Sequence, residues 1–190
     1  DFISWGCIGA RTTESQPHRE LASSLAMPTG FKNSTRGNIE VALNAIKVAN
    51  HPQTITTSNN EGRMCILHST GNPYSHLVLR GGYWTNNYNK LVLTQVSNRI
   101  SKMNINTNII IDCSHNNSRK IADNQIKVVR EITPELNKTQ SIVAGIMLES
   151  YIHSGNQKMS DAYRPGLSIT DECLSWEQTE SILLELNSNL

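Results

Sequence analysis

The amino-acid sequence predicts an α/β fold, a (β/α)8 TIM barrel of which the 190-residue chain would supply about strands 4 to 8 with an inserted β-hairpin. Short apolar segments alternate with segments of helical periodicity, which is typical of parallel strands joined by helices. The segment 108–111 is almost wholly apolar, as expected when helices cover both faces of a strand. Charged or titratable residues follow these apolar segments, at the position where α/β proteins bind ligands.

The first part of the chain predicts two strand and helix pairs followed by the hairpin. Ser15 and Pro17 are typical of a helix start, because Ser is a favoured cap and Pro is tolerated in the first turn. Ile39, Leu43 and Ile46 recur at helical spacing. We therefore predict strands over 3–8 and 29–33, helices over 19–26 and 38–50, and a hairpin whose β-branched and apolar arms, 53–58 and 64–68, are joined by turn-forming residues.

The remainder of the chain repeats the alternation of strand and helix. Leu91, Val96 and Ile100 share one face of a predicted helix, and Pro134 is expected to end the next one. A long polar loop is expected to run from Glu149 to Thr170. We predict strands over 76–79, 108–111 and 142–148, and helices over 90–103, 121–132 and 175–186.

Five parallel strands are too few to close a barrel, since a (β/α)8 barrel needs eight strands over typically about 250 residues. Five strands alone would leave unpaired edges. We therefore expect residues 1–190 to form the C-terminal portion of a single barrel domain, with the hairpin at 53–68. The three remaining strands would precede Asp1 in a longer chain or come from a separate polypeptide.

Composition restricts the class of partner. The formal net charge of +1 provides no electrostatic argument for binding nucleic acid or a membrane, so a small-molecule partner is expected. No apolar run approaches the roughly 18 residues of a membrane span, and we expect a cytoplasmic protein. The four cysteines are scattered without a C-x-x-C pair, which favours free thiols.

Polar side chains recur at the carboxyl ends of the predicted strands. These residues are Arg11, Lys32, Arg80, His115 and Glu149. In a parallel barrel such positions surround one mouth, so the sequence predicts that they converge on one pocket. Three cations in this ring suit a small substrate with several negative charges, because Arg and Lys bind phosphate and carboxylate groups. A single Arg or Lys at a strand end can equally be a solvated charge on the rim.

His115, Glu149 and Asp171 form a second candidate set. An imidazole and two carboxylates are ligands suited to Mn²⁺, Fe²⁺, Co²⁺ or Zn²⁺, although the three residues have no local spacing signature. Each also has a structural explanation. His115 can be a hydrogen-bonded structural histidine, Glu149 can cap the loop that follows it, and Asp171 can be the N-cap of the last helix.

At these residues the sequence closely resembles the type I 3-deoxy-D-arabino-heptulosonate 7-phosphate (DAHP) synthases, which catalyse the first step of the shikimate pathway. The matching stretches occur in the family's order along nearly the whole chain. They are Ile8-Gly9-Ala10-Arg11-Thr12-Thr13-Glu14-Ser15-Gln16, Gly30-Phe31-Lys32-Asn33, Leu79-Arg80-Gly81-Gly82, Asp112-Cys113-Ser114-His115, Glu149 with Gly155-Asn156-Gln157, and Ser168-Ile169-Thr170-Asp171 with Trp176-Glu177.

The resemblance implies a metal-dependent, aldol-type condensation of phosphoenolpyruvate with erythrose 4-phosphate. It implies that Arg11, Lys32 and Arg80, with the backbone at Ala10 and with His115, bind phosphoenolpyruvate. It marks Lys32 and His115 as catalytic residues, and His115, Glu149 and Asp171 as three of four ligands of a divalent metal (Mn, Fe, Co or Zn). The fourth ligand, a Cys, and a Lys-Pro-Arg-Thr run that binds erythrose 4-phosphate belong to the three strands not found in this sequence.

The resemblance also implies an aromatic amino acid effector and a homo-oligomer, either a dimer or a tetramer. Two alternatives remain open. The chain can be a non-catalytic or regulatory half-barrel, or a fragment, that needs a complementary chain. The octulosonate 8-phosphate synthases share the barrel and phosphoenolpyruvate, but the run from Thr12 to Gln16 points away from them.

Overall fold

The computed structural model describes residues 2–159 and 162–190. In chain order the described strands are β1 (Gly6–Ile8), β2 (Thr29–Lys32), β3 (Thr54–Ser58), β4 (Met64–His68), β5 (Ser75–Leu79), β6 (Ile109–Asp112), β7 (Val143–Met147), β8 (His153–Asn156) and β9 (Leu167–Ser168). The described helices are α1 (Gln16–Ser24), α2 (Glu40–Ala49), α3 (Lys90–Lys102), α4 (Asn124–Leu136) and α5 (Trp176–Ser188).

The chain divides into two compact units. Unit 1 is Asp1–Val78 with Gln95–Asn108, and unit 2 is Leu79–Thr94 with Ile109–Leu190. In unit 1, β2 pairs in parallel with β1 on one side and with β5 on the other. In unit 2, β6 pairs in parallel with β7. These five strands are the ones that the sequence predicts, and the α/β class with parallel strands is confirmed.

Unit 1 buries one face of α2 and the middle of its strands. Leu43 and Ile46 are fully buried, as their helical spacing predicts, and Phe31 of β2 and Leu77 of β5 are fully buried as well. The arms β3 and β4 pair antiparallel from Thr54 opposite His68 to Ser58 opposite Met64. The hairpin therefore forms with the register that its turn-forming residues favour.

Unit 2 has its core between β6 and the helices that follow. Ile109 and Ile111 of β6 are fully buried, and so is Ile132 of α4. Leu174 and Ile182 contribute further buried side chains near the end of the chain. The continuous apolar run of β6 is thus matched by burial along most of the strand, as expected for a parallel strand covered by helices.

The helix predicted to stop before Pro134 instead continues to Leu136, so that boundary was wrong. Proline removes one main-chain donor, and near a helix end the loss is confined to the bond that Arg130 would have accepted. The N–H of Asn137 donates to the carbonyl of Thr133 at 3.2 Å, so the last turn closes beyond the proline. The preference of the residue before a proline for non-helical backbone is therefore outweighed by the hydrogen bonding of the last helical turn.

The loop expected between Glu149 and Thr170 contains a small parallel pairing of β8 with β9 in its described part. The N–H of His153 donates to the carbonyl of Gly166 at 2.8 Å, and the N–H of Gln157 donates to that of Ser168 at 2.8 Å. Neither strand has alternating apolar residues, so no periodic pattern marks them in the sequence. Residues 160 and 161 lie outside the described residues.

The last helix begins at a capping box. The N–H of Gln178 donates to Ser175 Oγ at 3.2 Å, and the N–H of Ser175 donates to Gln178 Oε1 at 2.9 Å. We expect Ser175→Ala to lower the free energy of unfolding by about 1 kcal/mol, because a helix donor loses its acceptor. Urea denaturation followed by circular dichroism measures this loss.

The matched control for the cap is Ser181→Ala, since Ser181 is exposed in the interior of the same helix. Alanine has the higher helix propensity, so this change should leave stability equal or slightly higher. Equal losses for both variants would show that the cap does not stabilise the helix.

None of the helices formed by the described residues has the length and apolar character needed to cross a membrane.

Candidate active site

The first two cations of the predicted ring lie in unit 1. Arg11 follows β1 in a turn where the N–H groups of Thr12 and Thr13 both donate to the carbonyl of Gly9 at 3.0 Å. Lys32 is the last residue of β2 and is half-buried, whereas the Arg11 side chain is exposed. Both cations therefore occupy the carboxyl ends of neighbouring parallel strands, as the sequence predicts.

Thr13 connects this turn to the end of β2. Its side chain is fully buried, and Oγ1 lies 2.8 Å from the carbonyl oxygen of Lys32 and 3.0 Å from that of Gly9. A single hydroxyl hydrogen is shared between these two acceptors. Thr13 thereby fixes the backbone that carries Ala10 and Arg11 relative to Lys32. No individual role was predicted for Thr13, because a buried threonine has no local signature in the sequence.

Arg80 lies in unit 2, directly after β5, and its side chain is only 5% exposed. The backbone on both sides is held by amide side chains. Asn117 Nδ2 donates to the carbonyl of Leu79 at 3.1 Å, and the N–H of Gly81 donates to Asn87 Oδ1 at 2.8 Å. The N–H of Asn87 in turn donates to Asn117 Oδ1 at 3.0 Å. Two buried asparagines that the sequence analysis left out therefore position Arg80.

Gly81 meets two constraints that exclude a side chain. Its φ is +78°, and an added Cβ would lie 2.8 Å from Asn116 Cβ and 2.8 Å from the nitrogen of Asn117. We expect Gly81→Ala to lower the free energy of unfolding by roughly 2–3 kcal/mol and to shift Arg80. Chemical denaturation measures the first effect, and the KM for the anionic substrate, which should rise, measures the second.

Gly62 provides a matched control in the hairpin turn. Its φ is +75°, but an added Cβ would have no atom within 4 Å. Gly62→Ala should therefore cost about 1 kcal/mol from backbone strain alone and leave substrate binding unchanged. Equal effects of the two variants would show that crowding around Gly81 is unimportant.

His115, Glu149 and Asp171 come together in unit 2, after β6, β7 and β9. Each residue offers one donor atom, and these three atoms lie within 4.8 Å of one another. His115 Nε2 is 3.6 Å from Glu149 Oε1, and the two side chains are 20% and 29% exposed. Asp171 is exposed. Three residues from distant parts of the sequence thus form one cluster, as the sequence predicts.

The backbone at His115 has an unusual conformation that directs its ring. Its φ is +50°, in the left-handed region that non-glycine residues rarely adopt. Nδ1 lies 2.9 Å from Oδ2 of the fully buried Asp112, and Asp112 Oδ1 accepts from the N–H of Ser114 at 3.0 Å. Nδ1 thus faces the Asp112 carboxylate, and Nε2, on the side of Glu149, is available to a ligand. Asp112 lies in one of the stretches that resemble the family, but no role was predicted for it, and the structure places its carboxylate beside His115.

Glu149 accepts a hydrogen bond from Ser114 Oγ through Oε2, while Oε1 faces His115. The carboxylate is therefore directed at the His115 region and does not cap the loop that follows. Asp171 is not the N-cap of α5 either, since that position is occupied by Ser175. The structure thus does not support Glu149 as a cap of the loop or Asp171 as the N-cap of α5.

The cysteines of the described residues are all free thiols. Burial, reinforced by the neighbouring Asp112 carboxylate, raises the pKa of the Cys113 thiol well above its usual value. Partial burial also raises the pKa of Cys173. Both thiols therefore stay protonated near neutral pH, and Cys113 is a buried packing residue.

The family model described as the DAHP synthetase I family matches residues 1–184. The chain belongs to the DAHP synthetase I family. The resemblance carried by the strand-end motifs is thereby confirmed. The motifs Gly9 to Gln16, Asp112 to His115 and Ser168 to Asp171 lie within the matched range.

Curated DAHP synthases from bacteria and yeast are similar to the chain. The Tyr-sensitive phospho-2-dehydro-3-deoxyheptonate aldolase of Escherichia coli K12 is 39% identical over 193 aligned positions, covering 100% of this chain and 54% of that protein. The tyrosine-inhibited enzyme of Schizosaccharomyces pombe is 43% identical over 192 positions, covering 98% and 52%. A Tyr-sensitive enzyme of Enterobacter agglomerans is 40% identical over 193 positions, covering 100% of this chain and 90% of that protein. The chain thus spans about half the length of most of these relatives.

Solved structures of this class agree in fold. The phospho-2-dehydro-3-deoxyheptonate aldolase of Francisella tularensis SCHU S4 superposes with a TM-score of 0.93 at 39% identity, covering 98% of this chain and 55% of that one. The DAHP synthase of Thermotoga maritima has a TM-score of 0.61 at 21% identity, covering 98% and 45%, which supports the fold alone.

The cluster in this DAHP synthase family member fits a divalent metal by its chemistry and its dimensions. One imidazole and two carboxylates are donors that such ions accept. Donor atoms bound to one ion at roughly 2.1 Å lie at most about 4.2 Å apart, so the 4.8 Å spread of His115, Glu149 and Asp171 needs only small side-chain rotations. The three cations predicted to bind the anionic substrate belong to different units. Arg11 and Lys32 lie in unit 1, and Arg80 lies in unit 2.

Proposed function

We propose that the protein containing this chain condenses phosphoenolpyruvate with erythrose 4-phosphate to give 3-deoxy-D-arabino-heptulosonate 7-phosphate and phosphate. The cluster of His115, Glu149 and Asp171 in a DAHP synthase family member carries this proposal. The relatives' name, phospho-2-dehydro-3-deoxyheptonate aldolase, supports the same reaction. Family membership also favours this activity over a non-catalytic half-barrel.

Phosphoenolpyruvate carries a phosphate and a carboxylate, and the strand-end cations match these charges. We assign its binding to Arg11, Lys32 and Arg80, with a backbone donor at Ala10. The guanidinium groups offer paired N–H donors to the oxyanions, whereas the ammonium group supplies a compact charge. Burial of Arg80 favours this role, because a low-dielectric environment strengthens its attraction to an anion.

The residues of the cluster would hold Mn²⁺, Fe²⁺, Co²⁺ or Zn²⁺. The bound ion would supply Lewis-acid polarisation of the aldehyde of erythrose 4-phosphate. Lys32 and the two arginines would hold phosphoenolpyruvate while its C3 carbon forms the new bond to that aldehyde. Water then adds to the resulting cationic carbon, phosphate leaves, and His115 assists the proton transfer.

The test is consumption of phosphoenolpyruvate with erythrose 4-phosphate, using metal-free protein without metal and with added Mn²⁺, and then with Fe²⁺, Co²⁺ or Zn²⁺ in its place. Two proteins of verified mass are compared, the 190-residue chain and the native-length protein that contains it. Mn²⁺-dependent consumption and release of one phosphate per phosphoenolpyruvate support the proposal. No consumption by the native-length protein with any of the four metals would refute it.

We also propose how the protein is regulated and how it assembles. Relatives are named Tyr-sensitive, Trp-sensitive and tyrosine-inhibited, so we propose that an aromatic amino acid inhibits this protein as well. We further propose a cytoplasmic homo-oligomer in which residues 1–190 belong to one barrel domain. Assays with each aromatic amino acid and analytical ultracentrifugation test the effector and the oligomer.

A further inference from the structure

Gln125 in the first turn of α4 is fully buried, and its side chain binds the backbone of Glu149 at two points. Its Oε1 accepts from the N–H of Glu149 at 2.8 Å, and its Nε2 donates to the carbonyl of Glu149 at 3.1 Å. A primary amide that satisfies both main-chain groups of one residue fixes that residue in position and orientation. The Cα of Glu149, and hence the origin of its carboxylate, is held by Gln125.

Glu172, the residue next to Asp171, binds the same short segment. Its Oε2 accepts from the N–H of Ala122 at 2.8 Å. The N–H of Gln125 donates to the carbonyl of Ala122 at 2.9 Å, so residues 122–125 form one hydrogen-bonded turn. The 122–125 turn therefore contacts Glu149 directly and Asp171 through its neighbour.

The 122–125 turn is itself held rigidly. Gln178 Nε2, from the capping box of α5, donates to Asp123 Oδ1 at 2.9 Å. Val128 and Ile132 of α4 are buried and anchor the helix that the turn begins. Ala122 is only 4% exposed. A packed helix and a second helix cap thus leave the turn little freedom to move.

We propose that the 122–125 turn sets the spacing of Glu149 and Asp171, and that Gln125 and Glu172 are positioning residues for the metal ligands. This inference rests on the proposed function, in which the two acids bind a divalent ion. Carboxylates that are already held at the correct separation lose little conformational freedom when an ion binds. The hydrogen bonds that hold these residues therefore contribute to the affinity for the ion. Neither Gln125 nor Glu172 touches the substrate or the ion in this assignment.

The test of Gln125 is the Mn²⁺ affinity of the native-length protein, read from the electron paramagnetic resonance signal of free Mn²⁺. Gln125→Met keeps the side-chain volume and removes both hydrogen bonds to Glu149. We expect the Kd for Mn²⁺ to rise about 10- to 100-fold. An unchanged Kd in the folded variant would overturn the proposal.

A matched control separates positioning from general destabilisation. Asn72 is a buried amide in unit 1 whose Nδ2 donates to the carbonyls of Ala22 at 3.1 Å and Met27 at 2.9 Å. Asn72→Leu should lower the melting temperature of the metal-free protein as Gln125→Met does, yet leave the Mn²⁺ Kd within about twofold of wild type. Equal losses of affinity in both variants would refute the specific role of Gln125.

Glu172 allows a test that does not depend on a buried substitution. Glu172→Gln keeps an oxygen to accept from Ala122 N–H, whereas Glu172→Ala removes the acceptor. We expect Glu172→Ala to weaken Mn²⁺ binding about tenfold and Glu172→Gln to restore it to within about twofold of wild type. Equal weakening in both would show that charge, and not positioning, is responsible.

The outcomes distinguish this inference from the proposed function. Wild-type protein that binds no divalent ion would refute the metal-dependent synthase itself. Wild-type binding with unchanged affinity in Gln125→Met and Glu172→Ala would refute only the positioning role of the 122–125 turn.

Discussion

Replacing His115 by Ala is expected to lower kcat by about 10³-fold or more and to weaken Mn²⁺ binding. The imidazole is one of three donors in the cluster with Glu149 and Asp171, and its other nitrogen is 2.9 Å from Asp112. Removing it takes away a proposed metal ligand and the ring nitrogen that lies beside the buried Asp112 carboxylate. Turnover of phosphoenolpyruvate and Mn²⁺ titration of the native-length protein measure the two losses.

His51→Ala is the control for that experiment. His51 is exposed just after α2, and its Nδ1 lies 2.7 Å from the carbonyl of Lys47. Its removal should change neither Mn²⁺ affinity nor kcat, since an exposed surface substitution alters stability by about 0.5 kcal/mol or less. Retention of both metal and turnover by His115→Ala would show that the site has been assigned to the wrong residues.

Replacing Lys32 by Met is expected to lower kcat/KM for phosphoenolpyruvate by about 10²- to 10³-fold, with little effect on Mn²⁺ affinity. Lys32 ends β2, and its backbone carbonyl is held by the buried Thr13 hydroxyl at 2.8 Å. The backbone from which the Lys32 side chain extends is therefore held in place. Methionine keeps most of the side-chain length and removes the charge that would bind an oxyanion.

Lys47→Met produces the same change in net charge at an exposed position of α2. We expect its kinetic constants to match those of wild type, because surface charge at such a site is screened by salt. If both lysine variants lost activity equally, general electrostatic attraction would explain the effect and Lys32 would have no direct role. Loss of Mn²⁺ affinity in Lys32→Met would also contradict its assignment to the substrate.

The elements that the sequence predicted well are those with strong local periodicity. Ala42, Leu43 and Ile46 recur at helical spacing and are buried on one face of α2, and the apolar run of β6 is buried in a parallel pairing. The errors have two causes, a proline close to a helix end and a strand pairing that no local pattern marks. Pro134 lies within α4. β8 pairs with β9 although neither strand has alternating apolar residues.

The candidate site was predicted in part for the same reason. Arg11, Lys32, Arg80, His115 and Glu149 were proposed as site residues because a strand end can be located from the apolar run that precedes it. Gln125 and Asn117 were not assigned a role, because a buried polar residue binds whichever distant backbone the fold brings to it. No spacing of residues in the sequence predicts such a long-range hydrogen bond.

The sequence by itself determined the α/β class, the order of the five parallel strands, the hairpin and the helices, and which ionisable residues stand at strand ends, because these depend on periodicity over a few residues. The tertiary structure alone decided that the donor atoms of His115, Glu149 and Asp171 lie within 4.8 Å of one another. It also decided that Ser175, and not Asp171, caps α5. Distances between residues remote in sequence arise from packing and from hydrogen bonds such as those of Gln125 to Glu149, which no local pattern records.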